Sequence, residues 1–332
     1  MRPTVSILLP FFNDANTLGE SINSILTQEF EDFELLLIDK HSTDNSYDLA
    51  VEFSNKDERI RLIDVAGKGQ ANALNAGIEN SDGMYIALMS PVDIAAPHRI
   101  KEQVEYLDEH KDTGVVAACV QIPPEFEDNT YLEIYLKWSN TIITAEDFSL
   151  NRFIEIPAIS STFMIRREIF SRYGYFEKME FPEDYEIFLR WMENGVNFYK
   201  LPAYLQLWRF PVQRLFDRDD QYSTQAFFET KSVYLFRWLQ KYNQMFPDVV
   251  VWGAGKKARS RFVLIHELGI QSKFYIDQHG NEMYNVIEYK ETPPAGSHFI
   301  VCFIGNPEVR VKTKQFLVEL GYVEGNDFIC VT

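Results

Sequence analysis

The chain has 332 residues, of which 46% are hydrophobic and 24% are charged, a composition typical of a globular protein. Its net charge of −17 argues against nucleic acid and anionic lipid headgroups as partners, because an acidic surface repels both. The three cysteines are far apart and show no metal-binding or redox spacing. The N-terminus lacks a signal-peptide pattern, and no apolar run approaches the ~20 residues that span a bilayer. We therefore expect a cytoplasmic protein without a transmembrane segment. This expectation includes a protein that associates peripherally with the inner face of the membrane.

The first part of the chain alternates short apolar runs with amphipathic segments, and Pro97 opens a further helical segment. This alternation predicts a mostly parallel sheet that is covered by helices on both faces. The predicted strands are 5–9, 33–38, 59–65 and 84–89, and the predicted helices lie at 18–26, from 44 or 46 onward, and at 70–80.

The chain from Ile122 to Tyr222 is less regular, and a second strand-helix series begins after Pro247. We therefore predict two domains, residues 1–245 and residues 246–332, and the second is a small Rossmann-like α/β domain. The remaining predicted strands are 161–167, 249–252, 273–277, 298–305 and 327–331, and the remaining predicted helices are 183–195, 227–243, 259–269 and 307–321.

Three segments of the first domain carry a family resemblance. They read PTVSILLPFFNDANTLGESINSILTQEFEDFELLLID followed by STDNS, ALNAGIENSDGMYIALMSPVDIAAPHRIKEQVEYL, and FPEDYEIFLRWMENG. In order and spacing they resemble the family 2 glycosyltransferases over roughly residues 3 to 240. The resemblance implies a GT-A nucleotide-diphospho-sugar transferase fold. The whole layout looks like bacterial enzymes of this family that carry a C-terminal Rossmann-like module.

Sugar transfer from a nucleotide diphosphate makes two physical demands. The charge that builds on the leaving phosphate must be offset by a divalent cation or by fixed donors, and a carboxylate must take the proton of the acceptor hydroxyl. Family members use an Asp at the start of a late helix as this base. The resemblance places Asp184, with its neighbour Glu183, at that position. The alternative is that this acidic pair only stabilises the helix N-terminus through capping and the helix dipole.

The donor side departs from the family pattern in two loops. Family members usually read Asp-Asp-Gly-Ser-Thr-Asp after the second strand, whereas this chain keeps Asp39 and has Lys40 in place of the second acid. The usual Leu-Asp-Ala-Asp-Asp is replaced by MSPVD at 89–93, so that Val92 stands where the metal-binding Asp is expected. A valine cannot bind Mg²⁺ or Mn²⁺, which leaves Asp93 as a weak candidate ligand, with a helix cap or a loop hydrogen bond as its alternative role. We expect metal-dependent donor chemistry to be weakened, replaced or lost.

The resemblance also implies which other residues lie near the donor. Ser160 stands where the family often has a His, and Arg209, Arg214 and Arg218 follow the base helix, where they could approach a phosphate or the acceptor. The side chains of Lys40 and Lys68 could replace part of the charge of a metal, although each could also be an ordinary solvated lysine. The residues that we assign to the nucleotide-sugar site are Pro10, Phe12, Asn13, Asp39, Lys40, Lys68, Asn72 and Asp93.

A second candidate site lies in the C-terminal domain. Gly253 and Gly255 follow a predicted strand and open a helix, with Ala258 in the third small-residue position. Asp277 ends the next strand, where the acid of a Rossmann fold would meet a ribose. This pattern predicts a bound nucleotide or sugar nucleotide, and close strand-helix packing is the alternative role of the glycines.

The sequence leads to three hypotheses. In the first, the protein transfers a sugar with inversion from a UDP-, dTDP- or GDP-sugar to a glycan or lipid-linked acceptor in surface polysaccharide assembly, with weak or no dependence on Mg²⁺ or Mn²⁺. In the second, it is a catalytically inactive homologue that binds a nucleotide or glycan. In the third, the C-terminal domain has a nucleotide-sensing or redox role. Expected protein partners are a second copy of the chain or other glycan-assembly proteins.

Overall fold

The protein falls into two compact units. The first unit runs to Phe148 and resumes at Pro157, and the second consists of Ser149–Ile156 and the chain from 223 to Thr332. Within the described residues, no helix is long and apolar enough to cross a membrane. The domain boundary at 245/246 stays a prediction. The computed structural model describes residues 2–65, 69–124, 130–177, 181–209 and 223–332.

The first unit is built on a large mixed sheet. Its strands are β1 (Val5–Phe11), β2 (Phe33–Asp39), β3 (Ile60–Asp64), β4 (Tyr85–Leu88), β5 (Ile94–Ala95), β6 (Thr113–Gln121), β7 (Met164–Arg166) and β8 (Asn197–Leu207). Among the described residues they form an eight-stranded sheet in the order β3-β2-β1-β4-β7-β6-β8-β5. Strands β3, β2, β1 and β4 are parallel, as are β6 and β8, whereas β7 and β5 pair in antiparallel fashion.

Helices alternate with strands β1 to β4 as predicted, and further helices lie between the later strands. They are α1 (Leu18–Leu26), α2 (Ser46–Ser54), α3 (Gln70–Glu79), α4 (Arg99–Glu109), α5 (Thr130–Ser139), α6 (Ala145–Asn151), α7 (Arg167–Tyr173) and α8 (Glu183–Glu193). A short 3-10 turn, Ser160–Thr162, precedes β7.

The core of the first unit forms where these helices pack on the central strands. All seven residues of β1 and all seven of β2 are buried, as expected for parallel strands covered on both faces. Gly77 brings α3 very close to the sheet, since a Cβ there would lie 2.5 Å from Cδ1 of Ile38. This packing fixes the carboxyl ends of β1, β2 and β4 along one edge of the sheet.

The second unit contains a smaller, wholly parallel sheet. Its elements are α9 (Thr224–Tyr242), β9 (Asp248–Trp252), α10 (Lys256–Glu267), β10 (Gln271–Asp277), β11 (Val286–Glu288), β12 (Ile300–Phe303), α11 (Pro307–Glu319) and β13 (Phe328–Val331). The order is β11-β10-β9-β12-β13, so the direction of strand addition reverses between β9 and β12. In open α/β sheets, ligands bind outside the carboxyl ends of the strands at such a reversal. The predicted Rossmann-like α/β architecture is confirmed.

Candidate functional site

The loops that follow β1 and β2 are joined by hydrogen bonds. The side-chain oxygen of Asn13 accepts from the amide of Thr43 at 2.7 Å, and the amide of Asn13 donates to Oγ of Ser42 at 3.1 Å. Asp39 accepts from both the amide and the hydroxyl of Ser42, at 3.1 and 2.7 Å. Two of the residues assigned to the donor, Asn13 and Asp39, are therefore held in one polar rim.

Four other residues assigned to the donor lie on β1, just after β1, just after β2, and on α3. Pro10 is buried in β1 opposite Ile38, whereas the ring of Phe12 is 43% exposed just beyond the strand. Nζ of Lys40 donates to Oε1 of Gln70 at 3.0 Å, which connects the β2 loop to the first residue of α3. Asn72 is half-buried two residues further along α3. Three predicted residues, Lys68, Arg214 and Arg218, lie outside the described residues.

The acid of the β4 loop, Asp93, is fully buried and bonded within the protein. Its Oδ2 accepts from Oγ of Ser161 at 2.8 Å and from Nε2 of Gln206 at 2.6 Å. Its Oδ1 accepts from the backbone amide of Arg209 at 3.0 Å. Burial raises the pKa of Asp93 to about 6, while these hydrogen bonds and the charge of Arg99 act in the opposite direction.

A buried arginine completes this network. The guanidinium of Arg99 is 0% exposed and donates to Gln206 Oε1 at 2.6 Å, to the carbonyl of Leu88 at 2.8 Å and to the carbonyl of Ser161 at 2.8 Å. Burial lowers its pKa to about 10. Arg99 and Asp93 thus clamp the end of β4 to the 3-10 turn and to the end of β8.

The residues of the β4 loop do not fit a divalent cation. Both carboxylate oxygens of Asp93 are already occupied by three internal donors, and Val92 is a buried apolar side chain. No group of three or more His, Cys, Asp or Glu side chains within the described ranges is arranged to hold a metal ion. The geometry favours the hydrogen-bonding interpretation of Asp93, and its role as a metal ligand remains a prediction.

The candidate base lies at the other end of the same 3-10 turn. Asp184 is the second residue of α8 and is half-buried, and Glu183 before it is 6% exposed. Oγ of Ser160 lies 3.4 Å from Oδ2 of Asp184. Because Ser161 bonds to Asp93, two adjacent serines connect the candidate base to the β4 loop. The fold therefore brings the predicted base to the edge that carries the predicted donor residues.

Sequence reasoning missed the three side chains of the network around Asp93. Ser161, Gln206 and Arg99 come from distant segments, and their convergence depends on β6 and β8, neither of which was among the predicted strands. One signal was available. Arg99 and Gln103 are four residues apart on α4 and border the buried stripe that includes Ile100, so a buried polar pair could have been inferred.

The second unit places its predicted residues at the strand reversal. Gly253 has φ +107°, and a Cβ there would lie 2.9 Å from the carbonyl oxygen of Phe303. Gly255 precedes α10 with φ −68°. The carboxylate of Asp277 accepts from the backbone amides of Ala254 and Gln278, each at 2.7 Å. A loop after β9 is thus fixed against β10 and β12.

Comparison with known proteins identifies the family. The family described as "Glycosyl transferase family 2" matches residues 6–174, just over half of the chain. The chain therefore belongs to glycosyltransferase family 2, which confirms the resemblance. An uncharacterized glycosyltransferase of Rickettsia prowazekii is 26% identical over 191 residues, which are 57% of this chain and 58% of that protein. An uncharacterized glycosyltransferase of Methanocaldococcus jannaschii is 24% identical over 220 residues, 63% of this chain and 72% of that protein.

The chain thus spans little more than half the length of the first of these relatives. Among solved structures, S. aureus TarS (residues 1–349) in complex with UDP is similar with a TM-score of 0.55 and 15% identity, covering 80% of this chain and 70% of TarS. A mannosyltransferase from Pyrobaculum calidifontis, in complex with GDP-Man and Mn2+, gives a TM-score of 0.51 and 16% identity, with 80% and 69% covered. The predicted GT-A fold is confirmed.

Proposed function

We propose that the protein transfers a sugar with inversion from a nucleotide-sugar donor to a glycan or lipid-linked acceptor in surface polysaccharide assembly, with Asp184 as the general base. The observation that carries this proposal is the 3-10 turn at Ser160–Thr162. Its first serine contacts Asp184 and its second contacts Asp93, so the candidate base lies next to the carboxyl edge of β4. Family 2 membership and the GT-A fold support the same reaction class.

The role of Asp184 follows from its surroundings. It lies in the first turn of α8, where the helix dipole stabilises a carboxylate, and it is half-exposed, so an acceptor hydroxyl can reach it. In a single displacement the acceptor oxygen attacks the anomeric carbon, its proton passes to Asp184, and the nucleotide diphosphate leaves from the opposite face. A positioned base of this kind contributes about 10²–10⁴-fold to the rate.

A nucleotide sugar is the expected donor because related folds bind such molecules. TarS structures contain UDP and UDP-GlcNAc, and the Pyrobaculum mannosyltransferase contains GDP-Man with Mn2+. In this chain we propose weak or no metal dependence, since Val92 replaces a carboxylate and Asp93 bonds internally. Fixed donors of the β1 and β2 loops, with Lys40, would then face the leaving phosphates.

A donor screen tests this proposal. The release of nucleotide from UDP-, dTDP- and GDP-sugars is measured with Mn²⁺ and with EDTA, first for the wild type and then for Asp184→Asn. We expect release from one donor under both conditions and a loss of about 10²-fold or more in Asp184→Asn. The control is Glu193→Gln, at the other end of α8, which should retain wild-type activity. Unchanged turnover in Asp184→Asn would remove that residue from the mechanism.

A second candidate is an inactive homologue that binds a nucleotide or glycan as the partner of a true transferase. The buried, internally bonded Asp93 beside Val92 favours it, because the position that would hold a metal now holds the loop together. This candidate predicts donor binding with no release of nucleotide under either metal condition. The same screen, combined with a direct binding measurement, therefore separates the two functions.

A further inference from the structure

The N-terminal half of α10, in the second unit, carries an unusual concentration of positive charge. Lys256, Lys257, Arg259 and Arg261 fall within six residues, and the first turn contains no acidic residue. The helix dipole places partial positive charge at the same end, so the first-turn cations Lys256 and Lys257 are each unfavourable by about 0.3–1 kcal/mol. The chain as a whole has 49 acidic and 32 basic residues, so a surplus of bases at one helix end needs an explanation.

Within the described part of the chain, none of these four cations forms an ion pair with a carboxylate. Arg259 instead donates to the carbonyl of Ala254 at 2.7 Å and lies 4.4 Å from the ring centroid of Tyr284. Arg261 stacks on Phe228, with its Cζ 4.2 Å from the ring centroid. The guanidinium of Arg261 is half-buried, and burial lowers its pKa. A desolvated cation without a counter-ion is costly unless a ligand supplies the negative charge.

Two more buried cations lie close to Arg261. Lys231 on α9 is 4% exposed, and burial lowers its pKa to about 7, with the charges of Arg261 and Arg310 acting in the same direction. Arg310 on α11 is 6% exposed and donates to the carbonyl of Ile304 at 3.2 Å. The charge of Glu155 opposes the lowering of both pKa values, that of Glu324 does so for Arg310, and Lys231 also donates to the backbone oxygen of the last residue, Thr332. Arg261 is the cation of this group whose lowered pKa no charge among the described residues opposes.

This charge lies at the strand reversal of the small sheet. Nη1 of Arg261 lies 3.8 Å from the position that a Cβ on Gly305 would occupy, and Gly305 is the second residue after β12. The loop after β9 contains Gly255, where a Cβ would contact no described atom within 4 Å. The backbone at Gly255 is thus open to close approach, and the carboxylate of Asp277 is occupied by two backbone amides. Because Asp277 is already bonded, we expect this part of the second unit to recognise a negatively charged group of a ligand and not a ribose.

We propose that the second unit binds a phosphate-bearing small molecule outside the carboxyl ends of β9 and β12, with Arg261 as its main charged partner and Gly255 as the point of closest backbone contact. Arginine suits phosphate because its planar guanidinium can donate two parallel hydrogen bonds. This site belongs to the second unit alone and does not depend on the transfer reaction proposed for the first.

The test uses hydrogen-deuterium exchange of the full chain, measured with inorganic pyrophosphate in one arm and UDP in another. We expect slower exchange in peptides covering 253–261 and 304–310. Protection by both would show that phosphate alone suffices, and protection by UDP alone would show that a nucleoside is also required. Either result supports the site.

Two variants and one control make the test specific. Arg261→Met removes the main partner, and Gly255→Ala adds a methyl group that the free protein can accommodate. Both should require at least about tenfold more ligand for the same protection, a difference that can be measured at millimolar affinity. Arg237→Met removes one exposed positive charge from α9 and should behave as wild type. The absence of protection in both peptides, or equal protection in Arg261→Met, would overturn the proposal.

Discussion

Two buried cations of the first unit differ from the half-buried Arg261 on α10 in the second. Arg99 has four oxygen acceptors, from Gln103, Gln206, Leu88 and Ser161. Lys200 donates to both oxygens of Ser139 and to the carbonyl of Pro157. Arg261 has neither an oxygen acceptor nor a carboxylate partner in the described part of the chain, and only the ring of Phe228 contacts its guanidinium. The difference indicates that the first two cations stabilise the fold, whereas Arg261 is available to an outside anion.

The substitution with the largest expected effect tests whether the buried cations of the first unit stabilise the fold. Arg99→Met should lower the free energy of unfolding by about 3–5 kcal/mol, because it leaves Asp93 and Gln206 buried without their charged partner. Chemical denaturation followed by circular dichroism measures the change. Arg172→Met, which removes an exposed partner of Glu168, should change stability by less than about 0.5 kcal/mol. A loss below about 1 kcal/mol in Arg99→Met would contradict the assigned structural role.

The two loop glycines of the second unit should respond differently. Gly253→Ala should cost about 1–3 kcal/mol, because its φ of +107° is strained for alanine and the carbonyl of Phe303 lies 2.9 Å from the new Cβ. Gly255→Ala should change stability by no more than about 0.5 kcal/mol, since its φ is −68° and a poorer N-cap is offset by a stiffer unfolded chain. Equal losses in both variants would show that Gly255 is a packing residue.

Because Lys200 is buried, we expect it to make the free energy of unfolding depend on pH. Burial lowers its pKa to about 7 in the folded protein, from 10.5 as the ordinary value. Between these two values the unfolded chain binds the proton more strongly than the folded chain, so stability rises with pH across this window. From pH 7 to pH 9 the contribution of Lys200 is about 2 kcal/mol. Lys200→Met should remove this rise relative to wild type, whereas Lys137→Met, an exposed lysine of the same unit, should preserve it. An identical pH profile in Lys200→Met would contradict the assignment.

The substitution with the smallest expected effect tests whether Arg261 is available to an anion without stabilising the fold. In phosphate-free buffer, Arg261→Met should leave the free energy of unfolding within about 0.5 kcal/mol of wild type, because no hydrogen bond or ion pair is lost in the described structure. Arg99→Met serves as the matched variant in the first unit. A loss of more than about 1 kcal/mol in Arg261→Met would mean that this cation stabilises the fold as Arg99 does.

Much of the fold could be predicted from local patterns. The strands β1, β2 and β9 are continuous apolar runs, and the helix of Asp184 has clear amphipathic spacing. Strand β8 escaped prediction, since Lys200 and Pro202 interrupt its apolar pattern and only tertiary contacts explain the buried lysine. The family and the GT-A fold were predicted correctly because several motifs occur in the right order.

The site was less predictable, because its side chains converge from distant segments. Gln206 and Asp93 are separated by 113 positions and bond at 2.6 Å, a contact that no spacing rule indicates. The surplus charge of α10 was visible in the sequence, but the absence of carboxylate partners within the described residues became clear only from the coordinates. The roles of Asp184, Lys40 and Asp277 remain predictions.

Donor binding by the first unit with and without metal tests the central claim most directly. Isothermal titration of the Arg261→Met protein with the preferred nucleotide sugar reports mainly on this unit, because the proposed phosphate site of the second unit is weakened. We predict affinities in EDTA and in Mn²⁺ that agree within about threefold. Binding that appears only with Mn²⁺, and disappears in Asp93→Asn, would show that the β4 loop holds a metal after all.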